Sequence, residues 1–187
     1  MLLFIVIFCA IVALGFCMAS AWSDWNGMVI PNVYPAGVLL SFVIAYGATY
    51  ALAPDITYFS SLKSHLIALG AIFGVTFILF SLRMIGAGDS KLAAVVALWV
   101  GLEGLMTFLF FMGIVGGLLG LVALYIQKAK PAKEPSEGSF VDRVQKGESA
   151  VPYGIAIAIG AIVAFYMVGY FDPENLTVLA NGESMEG

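Results

Sequence analysis

Charge is what this chain has least of. Its 187 residues include only 8 Lys and Arg and 12 Asp and Glu, 11% of the total, where a soluble globular protein carries about 25%. A water-facing surface cannot be covered with so few charges, which excludes a soluble domain. No basic run is present, so no nucleic-acid partner is expected. Cysteine is nearly absent as well. Cys9 and Cys17 both fall in the first apolar segment, spaced for neither a zinc pair nor a structural disulfide, and read as small apolar side chains. No cluster has metal-ligand spacing, and no cofactor is expected. No internal repeat is visible, which argues against an inverted-repeat transporter. Ala19-Ser20-Ala21 would pass as a signal-peptide cleavage site, but no Lys or Arg precedes the apolar run, as a secretory signal requires. Residues 1–22 therefore read as a membrane span.

What is present is long apolar runs, with 61% hydrophobic residues. A span needs about 20 apolar residues. Residues 1–22, 34–53 and 65–85 supply three, and 151–171 a last one opened by Pro152, tolerated in a first helical turn. Residues 90–126 are too many for one span and enough for two, with Gly101-Leu102-Glu103-Gly104 as the turn between them. The expected fold is all-α: a single polytopic domain over 1–187 with about six transmembrane helices and both termini on one side. Lys91, Lys128, Lys130, Lys133, Arg143 and Lys146 fall in the segments 23–33, 86–91 and 127–150, with Arg83 beside them, and only Lys63 falls opposite. Since basic residues mark the cytoplasmic side, these three segments are expected in the cytoplasm. The tail 172–187, with Asp172, Glu174, Glu183 and Glu186, is then extracytoplasmic and acidic. Within 127–150, Phe140, Val141 and Val144 allow one turn of interfacial helix, but a solvated linker is the expected state.

Two carboxylates stand at the ends of apolar runs on that same face. Asp89 is delivered by Gly86-Ala87-Gly88-Asp89 at the mouth of a long apolar run in which, from Leu92 to Ile126, Glu103 is the one charge. Asp24 lies in Ser23-Asp24-Trp25-Asn26-Gly27, ahead of Ile30-Pro31-Asn32. A carboxylate kept at the edge of a membrane helix is a functional-site candidate by default. Taken singly, Asp89 reads as a helix N-cap and Asp24 as a solvated loop residue after the first span. Taken as a pair, they point to acid–base chemistry at a membrane surface. Two carboxylates that share a proton can supply one ionised group to take a proton from water and one protonated group to give a proton back. Which aspartate plays which part is left open. At Gly86 and Gly88, a Cβ would crowd a substrate backbone lying beside Asp89, which makes both substrate-binding candidates. His65 is expected at the outer interface, Glu103 in a solvated outer turn, and Lys91 as an interfacial anchor. Trp22, Trp25, Tyr125 and Tyr153 suit an aromatic belt. Pro31 and Asn32 read as turn residues opening the second span.

The segment Arg83-Met84-Ile85-Gly86-Ala87-Gly88-Asp89-Ser90-Lys91-Leu92 resembles the glycine-x-glycine-aspartate signature of type IV prepilin peptidases. Asp24 followed six residues later by Ile30-Pro31-Asn32 is similar to that family's companion signature, and Val151-Pro152-Tyr153-Gly154-Ile155-Ala156 to its last helix. The resemblance covers nearly the whole chain. It implies an aspartic endopeptidase of the inner (cytoplasmic) membrane with Asp24 and Asp89 catalytic. Its implied substrates are prepilin or pseudopilin precursors, each with a basic leader and an apolar helix. Two paired Cys-x-x-Cys motifs found in the large members are missing, which matches the short members that serve tight-adherence (Flp-type) pili and lack the methyltransferase domain. The basic residues usual between the first aspartate and Ile-Pro-Asn are also missing. Two rivals belong to other classes. A small proton-coupled transporter would place its carboxylates near the midplane, and a non-catalytic pilus-assembly subunit would tolerate the loss of either aspartate.

Overall fold

The computed structural model describes residues 1–131, 135–148 and 151–181, and every regular element among them is a helix. In chain order these are α1 (Leu2–Gly27), α2 (Val33–Leu52), α3 (Leu62–Ser81), α4 (Ala87–Ala129), α5 (Phe140–Gln145), α6 (Tyr153–Met167) and α7 (Pro173–Asn181). Lys133, Glu183 and Glu186, used above to assign the loop and the tail, lie outside the described residues. The protein is an all-α, polytopic membrane protein: α1 to α4 are each long and apolar enough to cross a membrane, and α6 is apolar but shorter. Hydrocarbon cannot hydrogen-bond a backbone, so only structures that satisfy their own N–H and C=O groups survive in it. Large apolar side chains such as Phe8, Ile11, Leu40, Phe77 and Phe110 point outward, where lipid rather than water would meet them.

One stretch breaks the pattern. Gly101, with φ 61° and ψ −171°, is non-helical inside α4. Asp89 and Gln127 flank this break and line the same cavity. A straight helix would hold them about 57 Å apart at 1.5 Å per residue. The chain therefore reverses at Gly101, and α4 is two arms that run back alongside one another. Only glycine adopts this φ without a steric penalty. The freed amide of Leu102 donates to Ser64 Oγ at 2.9 Å. The expected division of 90–126 at Gly101-Leu102-Glu103-Gly104 matches this reversal.

His65 departs from expectation. It is buried, not interfacial. Its Nδ1 lies 2.7 Å from the Leu98 carbonyl, and Nε2 lies 3.2 Å from Ser60 Oγ. A carbonyl can only accept, so the proton sits on Nδ1 and Ser60 donates to Nε2. Phe42, Tyr46 and Phe59 pack around the ring. The histidine thus ties the Gly101 reversal to α3.

In the bundle, α1 packs on α2 and α6, and α4 packs on α3 and α6. Small residues allow the close approach: a Cβ on Gly160 of α6 would lie 3.0 Å from the Phe108 carbonyl oxygen of α4. At the end where Gly101 turns, the Tyr170 hydroxyl donates to the Trp99 carbonyl. The tail is not merely acidic chain. Residues Pro173–Asn181 form α7, whose Leu176, with Phe171 just before it, lines a hollow with Leu3, Phe4 and Ile7 of α1. Both ends of the described chain therefore lie at the same end of the bundle, away from Asp24.

The linker expectation is overturned for Ser139 to Lys146. Ser139 caps α5 by accepting from the Asp142 amide, and Phe140 and Val144 are fully buried. They pack with Ile126 of α4 and with Trp25 and Met28 at the end of α1. The Phe140 and Trp25 rings are 5.1 Å apart. Polarity pointed to a solvated segment, but two apolar residues four apart were enough to dock one turn and a half. Lys146 donates to Asp142 Oδ2 at 2.7 Å, and the Gly138 amide donates to the same oxygen at 2.9 Å. Those contacts hold the Asp142 carboxyl below the usual carboxylate range and lock the helix at both ends.

Candidate active site

At the end of the bundle opposite Gly101 lies a cavity of about 420 Å³. Asp24 and Asp89 both line it, as do Gly86, the Gly120–Gln127 side of α4, Arg143 and Val144 of α5, and Tyr153 of α6. Five stretches distant in sequence are thus gathered around two carboxylates.

Asp24 does not sit in a loop. It belongs to the last turns of α1 and is 4% exposed. At 26 residues α1 rises about 39 Å, more than the roughly 30 Å of a hydrocarbon core, so the helix carries its aspartate to the membrane edge. Asp24 Oδ2 accepts a 2.7 Å hydrogen bond from the Gly154 amide at the start of α6. Pro152 just ahead starts that helix, and its first amides have no intrahelical acceptor. One of them is turned onto the carboxylate. A Cβ on Gly154 would lie 3.0 Å from Asp24 Oδ2, so glycine is what lets the two approach.

Asp89 sits three residues past the N-cap, Gly86, and not at the cap itself. Its Oδ2 accepts from the Gly86 amide at 3.0 Å. Its Oδ1 is buried with no partner. A buried carboxylate oxygen left unsatisfied is costly, and this one belongs to a cavity-lining residue. Asp89 also feels the charge of Asp24. One oxygen of each carboxylate is therefore fixed by a backbone amide, and both groups line one cavity.

The glycines of the turn have internal reasons to be glycine. A Cβ at Gly88 would lie 2.7 Å from Ile30 Cβ and 2.9 Å from the Ile30 carbonyl oxygen, and one at Gly86 would lie 2.8 Å from Asp89 Oδ2. Gly86 lines the cavity; Gly88 faces Ile30 behind it. Ile30 also stands 3.2 Å from where a Gly154 Cβ would be. It is wedged between the chain segments that carry the two aspartates and the clamp on Asp24.

A second contact runs parallel to this wedge. Lys91 Nζ donates to Asn32 Oδ1 at 2.9 Å. Asn32 is the turn residue and N-cap that opens α2, as expected. Lys91 and Asn32 link the end of the Ile-Pro-Asn stretch to the first turns of α4. Tyr153 lines the cavity, and Trp25 packs on Phe140 of α5. Trp22 and Tyr125 do face outward. Sequence reasoning missed Gly154, Ile30, Arg143 and α5. The only local signals were a glycine just after a proline and an apolar pair in a polar segment.

Among the described residues, no three His, Cys, Asp or Glu side chains come together as a metal site. The family model described as the type IV leader peptidase family matches residues 2–121. No curated protein and no solved structure matches the chain. The matched region contains both aspartates, the glycine turn, Ile30 and the Gly101 reversal. Gly154 and α5 lie beyond it.

Proposed function

From the chain's membership of the type IV leader peptidase family, which makes it a membrane peptidase at the family level, we propose that Asp24 and Asp89 form an aspartic dyad that hydrolyses the leader–mature bond of prepilin-like precursors. The single observation that carries this reading is the convergence of the two carboxylates on one cavity, each held through one oxygen by a backbone amide. With one proton shared between them, the ionised carboxylate takes a proton from a water as its oxygen attacks the scissile carbonyl. The protonated carboxylate donates to the substrate, and the C–N bond breaks as the amine leaves with a proton. Gly86, at the cavity wall, leaves room for a substrate backbone.

Six crossings form part of the proposal: α1, α2, α3, the two arms of α4, and α6. The shared position of Leu3 and Leu176 at one end of the bundle supports an even number. The basic residues around the cavity support a cytoplasmic position for the dyad. The substrate's apolar helix lies in the bilayer while its leader enters the cavity from the cytoplasm. Prepilins or pseudopilins of the Flp type are the substrates, and no amino-methylation accompanies cleavage. Both carboxylates stand at one end of the bundle, which does not favour a proton relay across the membrane.

The test is cleavage of a prepilin precursor, with amino-terminal sequencing of the product, in membranes holding equal amounts of each variant. Asp24→Asn and Asp89→Asn keep size and shape and cannot exchange the required proton, so each abolishes leader removal, and the double variant is no worse. Asp89→Glu keeps the acid but moves it by about one bond. A misplacement of about 1 Å costs roughly a hundredfold in rate. Near-normal processing by either asparagine variant would sink the proposal.

A further inference from the structure

The turn of α4 that carries Asp89 is held from two sides. From the link between α1 and α2, Ile30 meets Gly88, and Asn32 accepts from Lys91. From α3, Thr76 meets Ser90: their hydroxyl oxygens lie 2.8 Å apart, and both residues are buried. Between Leu66 and Phe80, Thr76 is the only side chain of α3 with a hydrogen-bonding group. Neither Thr76 nor Ser90 lines the cavity, so the pair has no part in contacting a peptide there.

Counting protons gives the direction of this contact. Thr76 Oγ1 lies 2.6 Å from the Ile72 carbonyl oxygen, which can only accept, so the single threonine proton goes there. Ser90 is then the donor to Thr76, and the result is a chain from Ser90 through Thr76 to the Ile72 carbonyl. Other helix hydroxyls behave differently. Ser20, Ser41, Thr49 and Ser81 each donate to a carbonyl three or four residues back in their own helix, a common habit of serine and threonine in helices. Ser90 spends its proton on the neighbouring helix instead.

Resting on the peptidase reading above, we propose that Thr76 is a positioning residue for the hydrolysis. Through Ser90 it sets the rotation of the first α4 turn about its axis, and with it the aim of the Asp89 carboxyl. Gly88 and Ser90 stand about 100° to either side of Asp89 around the helix. The contact at Gly88 and the bond at Ser90 therefore oppose each other, and Asp89 points out between them. Apolar packing alone is non-directional, whereas a hydrogen bond across the helix interface fixes an angle. Side-chain ends lie about 5–6 Å from a helix axis, so a rotation of about 10° carries the Asp89 carboxyl about 1 Å. A misplacement of that order costs about a hundredfold in rate.

The test is initial-rate cleavage of one precursor peptide, a basic leader joined to an apolar segment, by the full chain in nanodiscs, normalised to folded enzyme. Ser90→Ala is the cleanest variant, because Thr76 keeps the Ile72 carbonyl and no buried proton loses its acceptor. Ser90→Ala and Thr76→Val are each expected to lower kcat at least about tenfold, with KM within a few-fold. The double variant should be no slower than the slower single, since both changes remove one bond. Thr76→Ser keeps the hydroxyl and should restore kcat close to that of the unsubstituted enzyme. Thr49→Val, which removes a hydroxyl bonded only within α2, should leave kcat unchanged. Normal kcat in Ser90→Ala, a raised KM at normal kcat, or equal losses in Thr76→Ser and Thr76→Val would overturn the positioning role and leave the peptidase reading standing. So would a loss in Thr49→Val as large as that in Ser90→Ala. Absence of cleavage by the unsubstituted protein would defeat the peptidase reading, and the positioning role with it.

Discussion

Replacing Gly88 by alanine decides between two explanations of the glycine turn. If Gly88 is small to admit a substrate, the added methyl obstructs binding. If it is small because Ile30 packs there, the methyl pushes apart the segments that carry the two aspartates. The structure gives the size of that push. The new Cβ would stand 2.7 Å from Ile30 Cβ, whereas ordinary contact begins at 3.4 Å. The remaining 0.7 Å has to be absorbed, and the Ile30 carbonyl oxygen at 2.9 Å is backbone and cannot swing away. A displacement of that order between Asp24 and Asp89 is slightly less than the 1 Å that costs about a hundredfold. Gly88→Ala should therefore lower kcat by about 10- to 100-fold and leave KM within a few-fold. Overpacking should also cost about 1–3 kcal/mol of stability. The assay is initial-rate cleavage of one precursor over a range of concentrations, normalised to folded enzyme. A raised KM at normal kcat would show that the methyl meets substrate, and a variant with unaltered kinetics would refute the close approach of Gly88 to Ile30.

Three other outcomes are expected. Single cysteines at Glu137 and Ala180, in a background without Cys9 and Cys17, should label from opposite sides of the membrane; labelling of both from outside would remove the shared cytoplasmic face of the aspartates. The mature product should leave this enzyme with a free amino terminus and without dependence on a methyl donor, and a methyl adduct in mass spectra of the purified reaction would overturn assignment to the short members. Phe140→Ala removes a fully buried ring from its contact with Trp25, a loss of about 3–5 kcal/mol against a helix of only 6 residues. That change should release α5 and expose residues 135–148 to limited proteolysis; unchanged protection would mean the segment is held by something other than this contact.

The two aspartates were legible because a carboxylate beside a long apolar run stands out in one dimension. So was the division at Gly101, since a largely apolar stretch of 37 residues exceeds one crossing and glycine marks the place to turn. The contacts that align the aspartates were not legible. Ile30 meets Gly88, and Asn32 meets Lys91, nearly 60 residues away in sequence, and no local pattern carries that pairing. Asp24 was misjudged as a loop residue because apolarity falls at Ser23, whereas the helix continues on its own hydrogen bonds to Gly27. The same error hid α5, where polar composition outweighed two apolar anchors. His65 was misplaced because its neutral form can be buried once both ring nitrogens have partners, and the Leu98 carbonyl becomes available only through the fold.

The reversal at Gly101 makes α4 a pair of tongs. The jaws are Asp89 on one arm and Gly120 to Gln127 on the other, and the pivot lies at the far end of the molecule. From Gly101 to Asp89 is 12 residues, a lever of about 18 Å. Opening the pivot by about 3° moves the aspartate by roughly 1 Å, enough to cost about a hundredfold in rate. Ser64, which takes the Leu102 amide, and His65, which grips the Leu98 carbonyl, set that angle. They touch no reacting atom, yet the gap between the jaws is decided where they stand.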